Sequence, residues 1–546
     1  MKKFQFLLLL LLLPAMPALS GNMSIDGLAA VCDSSSEDDY AKGVEAYRSG
    51  DYRTAVAHWK KAAKDGNANA QCNLGACYAQ GLGVSQSYES AFEWYRKAAV
   101  QGNDVAQCNL GNCYFNAYGV EQDFEEAFRW YTLSAGQGNV IALFNLGMCN
   151  KVGEGTARNV ERAYDLIYEA AQKGYSLAQN ELGESYYIGE YLVQDYSEAV
   201  YWFSLAAVQG LDVAQYNMAV CYEEGTGADK DVQKAAMWYR KAAEQGYAPA
   251  QYCLAECYYA GTGVAKDVAE AAKWYERAAE QGHVDAQYLL AGCYYAGEGV
   301  EKNHTVAVQW FKKAARQGDA IAQCQLASCY RYGDGVAEDS WKAVKWYKES
   351  AEQGYAEAQH SLGECYYWGY GVDVDDFLAL KWVSAAAEQG YAPAKNTLGI
   401  WYCEGEVVFA DSVEAVRWFT EAAQAGYAEA RYNLANCYYN GMGVEQDYLA
   451  AARWYIRAAE KGHSDAQYNI GAMFYKGIGV TQSYQEAVRW YLLAAEQGNA
   501  LAQYDLGLCY YNGQGVERDV DEAVKWFRLS AARGYNKAKE LLNSIK

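Results

Sequence analysis

A chain of 546 residues would ordinarily hold three or four globular domains. Its 46 Lys and Arg stand against 68 Asp and Glu, a formal net charge of −22 without any basic stripe, which argues against nucleic acid as a partner. The acidity serves solubility or draws a cationic partner, and the mere two prolines after Pro17, Pro249 and Pro393, are what an almost wholly helical chain requires.

The N-terminus carries Lys2 and Lys3, an apolar run from Phe4 to Leu13, and Ala18-Leu19-Ser20. That layout predicts a secretory signal peptide over residues 1–20, cleaved after Ser20. The apolar run is too short for a membrane span of about 20 residues, so the expected product is exported and soluble, periplasmic or extracellular. Membrane contact is expected only if the signal segment is retained. Cys32 lies far from the apolar core, and Val31 suits a lipoprotein cleavage site poorly. Residues 21–38 are polar, with Ser and Asp, and read as a flexible linker. Residues 39–66 form an irregular first unit, with the tight turn Gly50-Asp51 and with Tyr52, Ala55, Trp59 and Ala62 on one helical face.

From here the chain copies one unit. In Glu429 to Gly462, Leu434, Cys437 and Tyr438 fall on one helical face and Gly441 and Gly443 break the pattern. Tyr448, Ala451, Trp454, Tyr455 and Ala458 mark a second amphipathic helix that Gly462 ends. A glutamine recurs every 36 residues, at Gln71, Gln107, six times from Gln179 to Gln359, and at Gln467 and Gln503. Leu143, Lys395, Arg431 and Lys539 keep the phase. Helix-ending glycines hold the same step from Gly66 to Gly534. Thirteen repeats therefore fill residues 67–534, and 535–546 is expected as a C-terminal capping helix. An uninterrupted register of this kind belongs to an all-α solenoid of helix pairs, not to independent domains.

Paired alanines such as Ala242-Ala243 permit close helix approach, and Trp238 and Tyr239 are expected to fill the space between helices. Gly261 and Gly263 are expected to take left-handed backbone angles that close the first helix. Ten of the 16 cysteines share one phase of the repeat. Equivalent helices about 8–10 Å apart cannot be bridged by a disulfide that needs Cα atoms within about 7 Å, so most are read as small buried apolar residues. No Cys-x-x-Cys occurs, and neither a metal nor a cofactor is expected. Departures from the pattern mark residues 117–121, 188–194 and 405–411, where Ala117, Tyr191 and Val407 replace loop glycines, and Leu166-Ile167 replaces a Trp-Tyr pair.

The motif Ala-x-Ala-Gln-x-x-Leu-Gly-x-Cys-Tyr-x-x-Gly-x-Gly-Val, followed by Asp-x-x-x-Ala-x-x-Trp-Tyr-x-x-Ala-Ala-x-x-Gly, resembles the Sel-1-like repeat, a relative of the tetratricopeptide repeat. The first unit, 39–66, follows tetratricopeptide spacing and reads as an N-terminal cap. The resemblance implies antiparallel helix pairs in a right-handed superhelix, a concave groove lined by the first helices, and a role in assembling protein complexes.

Two first-helix positions vary while avoiding the core phase, and both are rich in tyrosine. They give one ladder through Tyr216, Tyr252, Tyr259, Tyr288 and Tyr295 and a second through Tyr432, Tyr439, Tyr468, Tyr475, Tyr504 and Tyr511. Arg331, His360, Trp368 and Asn396 lie between them, and Asn436, Asn440 and Asn512 accompany the second. Tyrosine joins apolar area to a polar tip at modest entropic cost, which suits a protein or peptide and also sugar stacking. Packing of consensus residues against neighbouring helices would demand the same tyrosines. The second ladder is expected to be the stronger site, with alanine at Tyr432, Tyr468 and Tyr504 abolishing capture without unfolding.

Hydrolase and phosphate-loop motifs are absent, and His58, His283, His304, His360 and His463 are scattered over distant repeats. Two Asn-x-Ser/Thr matches, at Asn22 and Asn303, are short enough to arise by chance. The reading is a non-catalytic interaction scaffold outside the cytoplasm. Two alternatives stand beside it: cell-wall glycan binding, and weak β-lactam binding or hydrolysis as in cysteine-rich relatives. Those relatives pair cysteines between the helices of each repeat, and this chain lacks the second-helix partner, as at Ala98-Ala99.

Overall fold

A computed structural model describes residues 34–545. The signal segment 1–20 and the linker up to residue 33 lie outside the described residues. Among these residues there are 29 helices and no strand. The first helix spans Ser34–Arg48, so the last five residues assigned to the linker are helical. The chain groups into two units, one ending at Asp267 and the other beginning at Val268, a boundary inside a repeat rather than between repeats. In each unit, consecutive helices pack on the helix before and the helix after. No helix of the described residues is long and apolar enough to cross a membrane.

One repeat of the second unit shows why the sequence folds this way. Its first helix, Ala356–Trp368, stops at Gly369, whose φ of 66° is left-handed. Gly371, also left-handed at φ 72°, follows; a Cβ there would stand 2.3 Å from the carbonyl oxygen of Ser340, so the loop can lie on the preceding repeat only if this residue is glycine. Asp375 then caps the second helix, Asp376–Glu388, accepting from the Leu378 amide at 2.9 Å. That helix ends with Gly390 N–H donating to the Ala387 carbonyl and Tyr391 N–H to that of Ala386, the paired bonds of a Schellman turn. The left-handed angles expected at Gly261 and Gly263 are present, at 77° and 71°.

The core is built from the alanine pairs and one large residue per second helix. Ala242, Ala243 and Tyr239 are fully buried. Trp238 departs from expectation: it is half-buried, and Lys241 lies over its ring at 4.0 Å. Leu166 and Ile167 are buried at the sites of the missing Trp-Tyr pair. Of the 15 described cysteines, 14 are buried free thiols and only Cys403 is exposed. Burial pushes thiols such as Cys72, Cys113 and Cys221 up to about 12, where thiolate chemistry is suppressed.

The recurring glutamine is a clamp between repeats. Gln359 Nε2 donates to the Ala351 carbonyl at the end of the preceding helix at 3.2 Å, and its Oε1 accepts from Gln389 Nε2 at 2.7 Å. The same pair of bonds holds Gln71 with Gln101 and Gln323 with Gln353. Each buried amide thus has its carbonyl and one N–H satisfied. Where the glutamine is replaced the bonds change: Arg431 Nε reaches the Ala423 carbonyl at 3.1 Å, while Lys395 pairs with Glu421 at 2.8 Å.

Candidate protein-interaction surface

The tyrosines just after the glutamine site serve mainly in packing. Tyr216 is buried between Tyr239 and Tyr247, with ring centroids at 5.7 and 5.5 Å. Tyr288 faces Phe311 at 5.9 Å, Tyr432 stacks on His463 at 4.5 Å, and Tyr468 lies 5.8 Å from Tyr491. Tyr504 sits between Phe527 and Tyr535 at 5.7 and 5.1 Å. Tyr252, in the first unit, is half-buried. Alanine at Tyr432, Tyr468 and Tyr504 would therefore remove contacts between packed helices, at about 2 kcal/mol for each half-buried ring, so the triple variant is expected to lose stability as well as capture.

Seven residues further on, the second tyrosine position stands nearer to water and, at Tyr295 and Tyr475, ties one repeat to the next. Tyr259 and Tyr295 are exposed. Tyr295 stacks on His304 at 4.5 Å and donates to Asp334 at 2.9 Å, and Tyr475 donates to Gln514 at 2.8 Å. Tyr439 meets Tyr448 edge-on at 5.1 Å, and Arg518 lies over Tyr511 at 5.8 Å. Asn436 accepts the Tyr455 hydroxyl at 2.5 Å instead of pointing to a partner, while Asn440 is exposed.

The residues between the ladders do converge. Arg331 Nη1 donates to Glu364 Oε2 at 3.1 Å, and His360 Nε2 lies 3.9 Å from Glu364 Oε1 and 2.9 Å from the Thr397 hydroxyl. Glu364, one helical turn after His360, joins two predicted residues and was missed. Burial holds the His360 imidazole below its ordinary value, against Glu364, which favours the charged form. Asn396 accepts from Asn433 at 3.0 Å. The Arg331 guanidinium also lies 5.5 Å from the Tyr332 ring and 5.6 Å from Tyr370, whose hydroxyl donates to the Arg331 carbonyl at 2.8 Å. Arg331, His360 and Asn396 are each tied to a neighbouring helix.

Beside this cluster runs a row that sequence reasoning missed. Eighteen residues after the glutamine site, at the start of the second helix, the other full repeats carry Glu, Ser, Gln, Ala, Thr or Asp. Four consecutive repeats instead carry Trp341, Phe377, Val413 and Leu449, exposed by 66, 77, 66 and 51%. Trp368 and Tyr332, at the ends of the first helices, are exposed by 69 and 67%. In three of these repeats Ser340, Asp376 and Ser412 occupy the preceding position, where Tyr448 and Tyr484 pack on Tyr439 and Tyr475. The other full repeats hold Tyr, Phe, His or Val there; in these three that larger side chain is missing, and an apolar side chain one residue on faces water. Such a row is unusual on a free surface. Between residues 331 and 414 the chain has 15 acidic against 6 basic residues, so the stretch that carries the row is net acidic.

Paired helices repeating every 36 residues define a helical repeat protein of the solenoid class. The chain belongs to the Sel1 repeat family, whose model matches fourteen consecutive stretches from residues 40–67 to 500–535. The first unit, expected as a distinct tetratricopeptide-like cap, is thus matched as a short Sel1 repeat. The chain is 37% identical to a protective antigen present in uropathogenic Escherichia coli strains that displays an SLR fold; the match covers 76% of this chain and 89% of that one, with a TM-score of 0.65. A Sel1 repeat protein from Oxalobacter formigenes is 33% identical over 45% of this chain and 96% of its own, with a TM-score of 0.41. None of the curated proteins compared with the chain matches it.

Proposed function

We propose that this chain is a non-catalytic scaffold working outside the cytoplasm, and that it seats a protein or peptide partner on the edge formed by residues 320–463. The fold class supports the coarse reading, since Sel1 repeats commonly serve as interaction scaffolds. The single observation that carries the finer one is the row Trp341, Phe377, Val413 and Leu449, large, apolar and exposed where the other full repeats carry polar residues or alanine. Apolar anchors on a net acidic stretch fit a segment that alternates aliphatic or aromatic residues with Lys or Arg. Export rests on the pattern of residues 1–20.

The test is affinity capture from an envelope fraction with the full chain and with the triple variant Trp341→Ala, Phe377→Ala, Val413→Ala. These side chains are exposed, so helicity should be unchanged while capture falls at least tenfold. Undiminished capture by the triple variant would place the seat elsewhere. The exposed rings of Tyr332, Trp341 and Trp368 would also stack on sugars; pull-down by peptidoglycan that the triple variant loses would move the assignment to glycan.

A further inference from the structure

Cys403 is the described cysteine that stands outside the buried set. It occupies the position held by Tyr295, Arg331 and Tyr475 in other repeats, eight residues after the glutamine site. That position lies beside the cysteine column of the following repeat: the Tyr367 ring stands 5.2 Å from Trp401, which fills the cysteine position there, and Arg331 Nη1 donates to Glu364, the neighbour of Cys365, at 3.1 Å. The register therefore places Cys403 beside Cys437. Their helices, Ala392–Glu404 and Ala428–Asn440, approach each other to within 8 Å between Cα atoms. The spacing argument that leaves the cysteine column unpaired compares like positions of neighbouring repeats; this pair joins unlike positions and escapes it.

We propose that Cys403 and Cys437 are the site of an inter-repeat disulfide, formed by exchange with an oxidised small-molecule disulfide. The Cys403 thiolate attacks one sulfur of the oxidant, breaking its S–S bond and releasing one thiolate. Cys437, losing its proton to that thiolate, attacks Cys403 Sγ and expels the second. Two protein thiols and one oxidant disulfide become one protein disulfide and two thiols, the two electrons passing to the oxidant. The roles follow from exposure: Cys403 meets the reagent, and Cys437, buried beneath it, resolves the adduct. The adjoining Cys437 thiol brings the Cys403 thiol down to about 7, so a large thiolate fraction is present at neutral pH. The inference does not depend on the proposed partner.

The full chain is incubated with mixtures of oxidised and reduced glutathione, alkylated, digested with trypsin and mapped by mass spectrometry. The expected product links peptide 396–417 to peptide 432–453, each with a single cysteine, while the remaining cysteines stay alkylatable after unfolding. Cys403→Ser should abolish the link and leave the circular dichroism unchanged. Cys437→Ala should trap glutathione on Cys403. A wild-type chain in which Cys403 stays free, or keeps its glutathione as fully as in Cys437→Ala, overturns the proposal.

Discussion

At Ala117 the chain ends a first helix in the left-handed region without glycine, at φ 58°. A Cβ in that region costs about 1 kcal/mol, and glycines hold the equivalent site in the other full repeats. Ala117→Gly should raise the stability of residues 104–139 by about 1 kcal/mol, read as slower amide exchange in that repeat; faster exchange would mean the loop has relaxed around alanine. A different strain sits at Glu184. Lys151 pairs with Glu181 at 2.5 Å, while Glu184, accepting from Asn180 at 2.7 Å, is left beside a second carboxylate. Burial and the charge of Glu181 raise Glu184 to about 7. A raised carboxyl binds more protons folded than unfolded, so stability is greatest near and below the ordinary Glu value of 4.5 and is lost as pH rises towards 7. Glu184→Gln should flatten that decline in thermal midpoint between pH 5 and 7. An unchanged slope would assign the decline to other groups.

At the scale of the helix pair, the clamp depends on two glutamines 30 residues apart, and the chain loses them together. Leu143 faces Lys173, Lys395 faces Ala425 and Arg431 faces Lys461 in the two sequence positions. In the last repeat only one is lost: Arg533 replaces the donor, and Gln503 Oε1 is buried without a hydrogen-bond partner among the described residues. Arg533→Gln should restore the bond and stabilise the C-terminal repeat by about 1 kcal/mol, seen as protection of residues 500–535 from proteolysis; greater susceptibility would show that Arg533 has a role the clamp does not supply. The 36-residue period made every helix pair legible, because each amphipathic face, cap and glycine recurs in phase. The site was less so. Tyrosine columns such as Tyr432, Tyr468 and Tyr504 recur for packing, and residue type alone does not separate a packed ring from an exposed one. The useful signal lay in exceptions to the period: apolar residues at 341, 377, 413 and 449, and glutamine pairs that vanish together.

For the molecule as a whole, packing between neighbouring helices makes length adjustable in units of one repeat. Removing residues 104–139 joins Gly102-Asn103 to Val140, where the chain already has Gly138-Asn139 before Val140, so the helix-capping asparagine is regenerated at the junction. Asn103 and Asn139 cap alike, accepting from Ala106 and Ala142 at 2.8 and 3.0 Å. The shortened chain should therefore stay soluble, keep its helicity per residue and resist trypsin, because the new neighbours present the faces the old ones did. It should also retain partner capture, since residues 320–463 are untouched. Removing only 104–121 deletes a first helix and its loop, leaving Phe124–Gly136 without the helix it packs on and its buried Tyr131 exposed. That half-repeat deletion should aggregate or be degraded. Equal behaviour of the two deletions, by circular dichroism and limited proteolysis, would show that stability is held by something other than the contact of each repeat with its neighbours.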